Sequence, residues 1–83
     1  MNGVIPWTAP AVVAVKRRGD SMYHPIVAGL TLNAALEYAT DPDMPVTTKV
    51  RILINWDGTE VRIEGRRIWQ LATNTNRPPL PPE

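Results

Sequence analysis

Apolar and polar positions alternate most regularly between Thr48 and Ala72, and the rest of the chain is arranged around that stretch. It reads Thr-Lys-Val-Arg-Ile-Leu-Ile-Asn-Trp, then Asp57-Gly58, then Thr-Glu-Val-Arg-Ile-Glu-Gly-Arg-Arg-Ile-Trp-Gln-Leu-Ala. Asp-Gly between two alternating runs predicts a β-hairpin, because a type I′ turn needs positive φ at both central positions. Counting outward from that turn sets Trp56 against Thr59, Ile54 against Val61, Ile52 against Ile63 and Arg51 against Glu64. Two apolar pairs and one opposite-charge pair then face each other, each worth about 0.2–1 kcal/mol. A one-residue slip would spoil all three.

Gly65 interrupts the second run. A type II′ turn takes Gly first, and such a turn would start a third strand with Arg67 against Glu64, Ile68 against Ile63 and Trp69 against Arg62. The other reading is a bulge within one long strand; the turn is preferred. Upstream, residues 11–17 read Ala-Val-Val-Ala-Val-Lys-Arg, a β-branched run that suits a strand buried on both faces or at the sheet centre. Arg18-Gly19-Asp20-Ser21 ends it with turn chemistry. Residues 22–28 show no clear period, and Pro25 forbids a regular central strand there.

Residues 31–40 carry the one predicted helix. Leu32, Ala35, Leu36 and Ala39 recur at helical spacing, with Ala34 and Tyr38 widening the face. Thr31 is the expected N-cap, and Pro42 biases Asp41 away from helix. About three turns would be marginal alone, so the helix must pack on the sheet. Pro42, Asp43 and Pro45 then lead into the hairpin.

The predicted fold is therefore a small single α+β domain, β-α-β-β-β in order, with a mainly antiparallel sheet and one helix packed on one face. Ile52, Ile54, Val61, Ile63 and Ile68 are expected to meet Leu32, Leu36 and Ala39, with Arg51, Leu53 and Arg62 on the opposite face. Residues 1–10 form an extended arm, 11–73 the domain and 74–83 a Pro-rich tail with polyproline II tendency. Pro-containing ends of this kind are ordered only when tied down, either on the domain or by a partner. Pro78-x-x-Pro81 and Pro79-x-x-Pro82 follow Arg77, and the tail is read as a spacer or a clamp on a partner.

Composition narrows the class. Eighty-three residues, 43% hydrophobic and 20% charged, suit one folded domain rather than a disordered chain. The absence of Cys excludes a disulfide scaffold and a cysteine zinc site. The longest uncharged apolar run, Ala11 to Val15, is too short to cross a bilayer, and the first residues do not read as a signal peptide. A cytoplasmic location follows as the expectation, in the host cell if the chain is phage-encoded. The net charge of +1 sits below the basic excess usual for nucleic-acid-binding domains. With no Phe, the aromatic surface comes from Trp7, Trp56, Trp69, Tyr23 and Tyr38 alone. Trp7 is expected first to fold back over the core.

Gly19-Asp20-Ser21-Met22, followed by Pro25, resembles the Gly-Asp-Ser-Met box of LexA-type repressors and type I signal peptidases. In that family the Ser is a nucleophile and a Lys on a later strand is its base. Here no Lys follows Lys49, and the downstream positions offer Arg62 and Glu64; arginine is not deprotonated in proteins. His24 is the sole His and has no second His or Cys with which to hold a metal. Asp41 with Asp43 brackets a loop proline, and Glu60 with Glu64 reads as partners for Arg51, Arg62 and Arg67 on an exposed sheet face. No catalytic residue, metal ligand or cofactor is expected.

What remains is binding. Trp7, Met22, Tyr23, Arg66, Arg67 and Trp69 are of the types that interface centres favour, and they lie in the segments whose pattern is ambiguous. The leading expectation is a non-enzymatic protein that binds another protein or a multi-subunit complex. In size and style it resembles compact phage and mobile-element accessory products, such as inhibitors of host defence or small virion parts. A structural or assembly subunit forming a homo-oligomer is one alternative. A nucleic-acid-binding domain is the other, using Lys16, Arg17, Arg18, Lys49, Arg51, Arg66 and Arg67 with Trp69 stacking on a base.

Overall fold

A computed structural model describes residues 5–43 and 48–79. Six elements follow in order: β1 (Pro10–Lys16), β2 (His24–Thr31), α1 (Leu32–Ala39), β3 (Lys49–Trp56), β4 (Thr59–Glu64) and α2 (Arg66–Ala72). The strands form one antiparallel sheet in the order β2-β1-β3-β4. The class is α+β, as the alternation of patterns predicts.

The hairpin has the register counted from its turn. Arg51 pairs with Glu64, Ile52 with Ile63, Ile54 with Val61 and Trp56 with Thr59. Asp57 and Gly58 both take positive φ, 55° and 79°, which is what a type I′ turn demands. The Asn55 side chain adds a bond, its Oδ1 accepting from the Gly58 amide at 2.9 Å. β1 lies between β2 and β3 as expected of its continuous apolar run, and Val13, Ala14 and Val15 are all buried.

Two expectations about element order are corrected. First, residues 24–31, where the predicted order β-α-β-β-β has no second strand before the helix, form one. β2 is an edge strand, and its pairing with β1 slips between Ala11 and Val13 and again between Val13 and Ala14, next to Pro25. A proline that cannot sit in a central strand is tolerated at such an edge and bulge. Second, the predicted third strand after Gly65 is a second helix, so the single-helix order β-α-β-β-β does not hold. Gly65 does adopt the backbone of the first position of a type II′ turn, φ 56° and ψ −129°. The next residue of that turn is near-helical, and here the chain continues as helix. Arg66, Arg67, Gln70, Leu71 and Ala72 are good helix formers, and Ile68, Leu71 and Ala72 fall at the i, i+3, i+4 spacing of one apolar face. That 3.6-residue pattern outweighs the weak alternation of Ile68 and Trp69.

Both helices cover the same face of the sheet. The buried core joins Ala11, Val13, Ile52, Ile54 and Ile63 from the strands to Leu32, Ala35, Leu36 and Ile68 from the helices, with Val61 and Ala39 packed against it. Ile68 thus reaches its predicted neighbours from a helix and not from a strand. Thr31 caps α1 as expected, its Oγ1 accepting from the Ala34 amide at 3.2 Å. The register sets Arg51, Leu53 and Arg62 on the uncovered face.

Trp7 is half-buried and packs on the core, and its carbonyl accepts from the Asn33 amide at the start of α1 at 3.0 Å. At the other terminus, Asn74–Arg77 is a turn, with the Asn74 Oδ1 accepting from the Asn76 amide at 2.8 Å. Pro81 and Pro82 of the tail spacings, and Pro45 of the link into the hairpin, lie outside the described residues.

Candidate functional site

The Gly19-Asp20 pair is occupied by a turn. The Asp20 carboxylate accepts from the Arg17 amide at 2.9 Å, the Asp20 amide returns a bond to the Arg17 carbonyl, and Gly19 takes φ 93°. Ser21 and His24 are exposed beyond it. Asp41 accepts from the Asp43 amide at 2.8 Å, a loop bond. Glu60 and Glu64 point to arginines: Glu64 lies 2.9 Å from Arg51 and Glu60 lies 3.9 Å from Arg62. Among the described residues no three His, Asp or Glu side chains group as metal ligands. No helix among them is long and apolar enough to cross a membrane.

A groove of about 750 Å³ crosses one end of the sheet. Its apolar lining comes from Ala39 at the end of α1, Val50 on β3, and Ile68 and Trp69 on α2, with Tyr23 and Lys49 at its sides. The fold places these residues there for local reasons. α1 stops at Thr40, whose hydroxyl donates back to the Leu36 carbonyl at 2.8 Å. Gly65 turns the chain from β4 into α2 at the same end, which brings Ile68 and Trp69 to the groove that Val50 also lines. Ile68 faces the core while Trp69, next along the helix, is 57% exposed. Tyr23 is held by the sheet: the Arg51 guanidinium lies over its ring, 3.8 Å from the centroid, and Lys16 approaches to 6.0 Å.

The six partner-binding candidates therefore divide. Tyr23 and Trp69 line one groove, and Met22, 63% exposed, precedes Tyr23. Arg66 and Arg67 open α2 beside it, on a helix and not on the sheet where the pattern placed them. Trp7 sits at the opposite end of the sheet, against the start of α1.

The charge distribution is uneven. Of the nine basic residues, Arg51, Arg62 and Arg77 have carboxylate partners. The other six, Lys16, Arg17, Arg18, Lys49, Arg66 and Arg67, have none among the described residues. All six lie at the end of the sheet that carries the groove. Lys16 is the last residue of β1 and pairs with Lys49, the first of β3, and β4 ends beside them at Glu64 before Gly65 and Arg66. A net charge of +1 hides this polarity.

One cluster escaped sequence reasoning. Arg77 donates from Nε to the Asn33 Oδ1 at 2.5 Å, from Nη1 to the Ala72 carbonyl at 3.1 Å, and from Nη2 to the Asn33 carbonyl at 3.1 Å and Glu37 Oε2 at 3.0 Å. Asn33, only 6% exposed, donates in turn to the Pro78 carbonyl at 2.9 Å. This knot joins α1, the end of α2 and the tail. Asn33 and Arg77 are 44 residues apart in sequence, so no local pattern announces it; the one signal is an Asn inside an otherwise apolar stretch. The knot is structural, fixing α2 and hence Trp69.

Comparison with known proteins finds no matching family model, no matching curated protein and no matching solved structure.

Proposed function

We propose that this protein is a small non-enzymatic binding module that takes a segment of another protein into the groove between Tyr23 and Trp69. The observation that carries this reading is the exposure of Trp69, 57%, on the wall of an apolar-floored groove. An indole held in water forgoes about 25 cal/mol for each Å² of apolar surface left uncovered. Trp, Tyr and Arg are also the side chains that dominate interface energies when a partner covers them. Tyr23, pinned by Arg51, and Trp69, fixed on a short helix, are pre-ordered, so less entropy is lost on docking. Occupying the surface of a larger protein or complex in this way is also how a small accessory protein inhibits it.

Affinity capture with the full chain from its native host tests the reading. Trp69→Ala and Tyr23→Ala are each expected to lose a captured protein while their thermal melts match the parent within a few degrees. Capture that both variants retain, or none by the parent, overturns it. A nucleic-acid partner is the second reading, favoured by the six cations at the same end that have no carboxylate partner among the described residues.

A further inference from the structure

Resting on the groove reading, we infer that the segment it binds is acidic: an apolar anchor residue flanked on both sides by carboxylates. Three observations converge. Lys49 lines the groove, Lys16 pairs with it in the ladder and leads into Arg17 and Arg18, and Arg66 and Arg67 follow Gly65, which lines the groove on the α2 side; none of the six has a carboxylate partner among the described residues. Lys16 and Lys49 stand directly opposite each other in the ladder, an arrangement that is destabilising in the isolated sheet and that a bound anion relieves. The groove beside them is floored by Ala39, Val50 and Ile68, which suits an uncharged side chain.

The same geometry disfavours a nucleic-acid strand. Glu64 and Asp41 line the groove itself, so a backbone with a phosphate at every nucleotide would bring charge against carboxylates as it crossed. A peptide can place an uncharged residue there and keep its carboxylates at the cationic rims. One face of the Tyr23 ring already carries Arg51 at 3.8 Å and is closed to a stacking base.

The test is a selection of random dodecapeptides displayed on phage against the immobilised full chain at low salt, with fluorescein-labelled twenty-residue oligothymidylate titrated in parallel. The expected result is enrichment of Asp and Glu on both sides of a Leu, Ile or Trp. Synthetic peptides from the pool should weaken about tenfold or more on the Lys49→Glu, Arg66→Glu double variant, and similarly on raising salt. A circular-dichroism melt unchanged in that variant excludes unfolding as the cause. Peptides that enrich apolar residues without acids, and still need Trp69, would overturn the acidic inference and leave the groove reading standing. Binding of oligothymidylate with no peptide enriched, or binding of neither, would overturn both.

Discussion

Replacing Arg77 by Ala should destabilise the domain by about 3 kcal/mol, a large share of the roughly 4–12 kcal/mol expected for a chain of this length. The estimate is built from the knot. Arg77 is 16% exposed in its side chain and makes four hydrogen bonds. The bond to Asn33 Oδ1 matters most, since Asn33 is buried and losing its donor leaves a desolvated acceptor, costing about 1–3 kcal/mol. The bond to the Ala72 carbonyl satisfies the end of α2 and that to the Asn33 carbonyl holds the first turn of α1, and each charged-donor bond adds about 1 kcal/mol net once water replaces part of it. The ion pair with Glu37, itself 59% exposed, adds only a few tenths. Freeing the tail returns some entropy and trims the sum. Urea unfolding followed by tryptophan fluorescence reads the change, with the slope unaltered. Arg77→Lys should recover little, because an ammonium cannot reach Nε-type and Nη-type partners together. In a double-mutant cycle, Arg77→Ala and Asn33→Ala should couple by more than about 1 kcal/mol. A loss below 1 kcal/mol for Arg77→Ala, or additivity within about 0.5 kcal/mol, would refute the knot as a cooperative unit.

Two further substitutions probe the joints that shape the groove. Gly65→Ala should cost about 1–3 kcal/mol through its φ of 56°, although no atom lies within 4 Å of the added Cβ, so strain and not crowding is what unfolding measurements would detect; a neutral result would mean that the joint relaxes freely. Thr31→Ala should cost about 1 kcal/mol by removing the cap of α1, and Thr31→Ser should restore most of it in the same assay.

The parts of the fold that sequence reasoning reached are those fixed by short-range rules. Asp57-Gly58 sets a turn, the turn sets a register, and the register places every hairpin side chain. The cap and spacing of α1 are local in the same sense. β2 was hidden because edge strands accept bulges and proline, so they carry no clean alternation. The Asn33–Arg77 knot was hidden because its partners meet only after both helices have docked. The cation cluster was hidden by composition, which counts charges without saying which end of a sheet they occupy.

The correction at Gly65 bears directly on the candidate site. Had the chain run back along β4 as a third hairpin strand, Trp69 would have stood against Arg62 on the uncovered sheet face, and Arg67 would have paired with Glu64. Glu64 instead keeps Arg51, which in turn braces Tyr23. The helical turn from Gly65 carries Arg66 and Arg67 to the end of the sheet, without carboxylate partners among the described residues, and stands Trp69 beside Ala39 and Val50. A strand there would have paired the β4 edge with itself; the helix leaves that edge short and lined by Glu60, Arg62 and Glu64, charges that oppose strand addition by a second copy. One glycine conformation thus decides whether these residues form a closed sheet or an open groove, and the preference for helix rests on Ile68, Leu71 and Ala72 burying one face. The sequence features that direct the chain into α2 are therefore the ones that leave Arg66, Arg67 and Trp69 exposed.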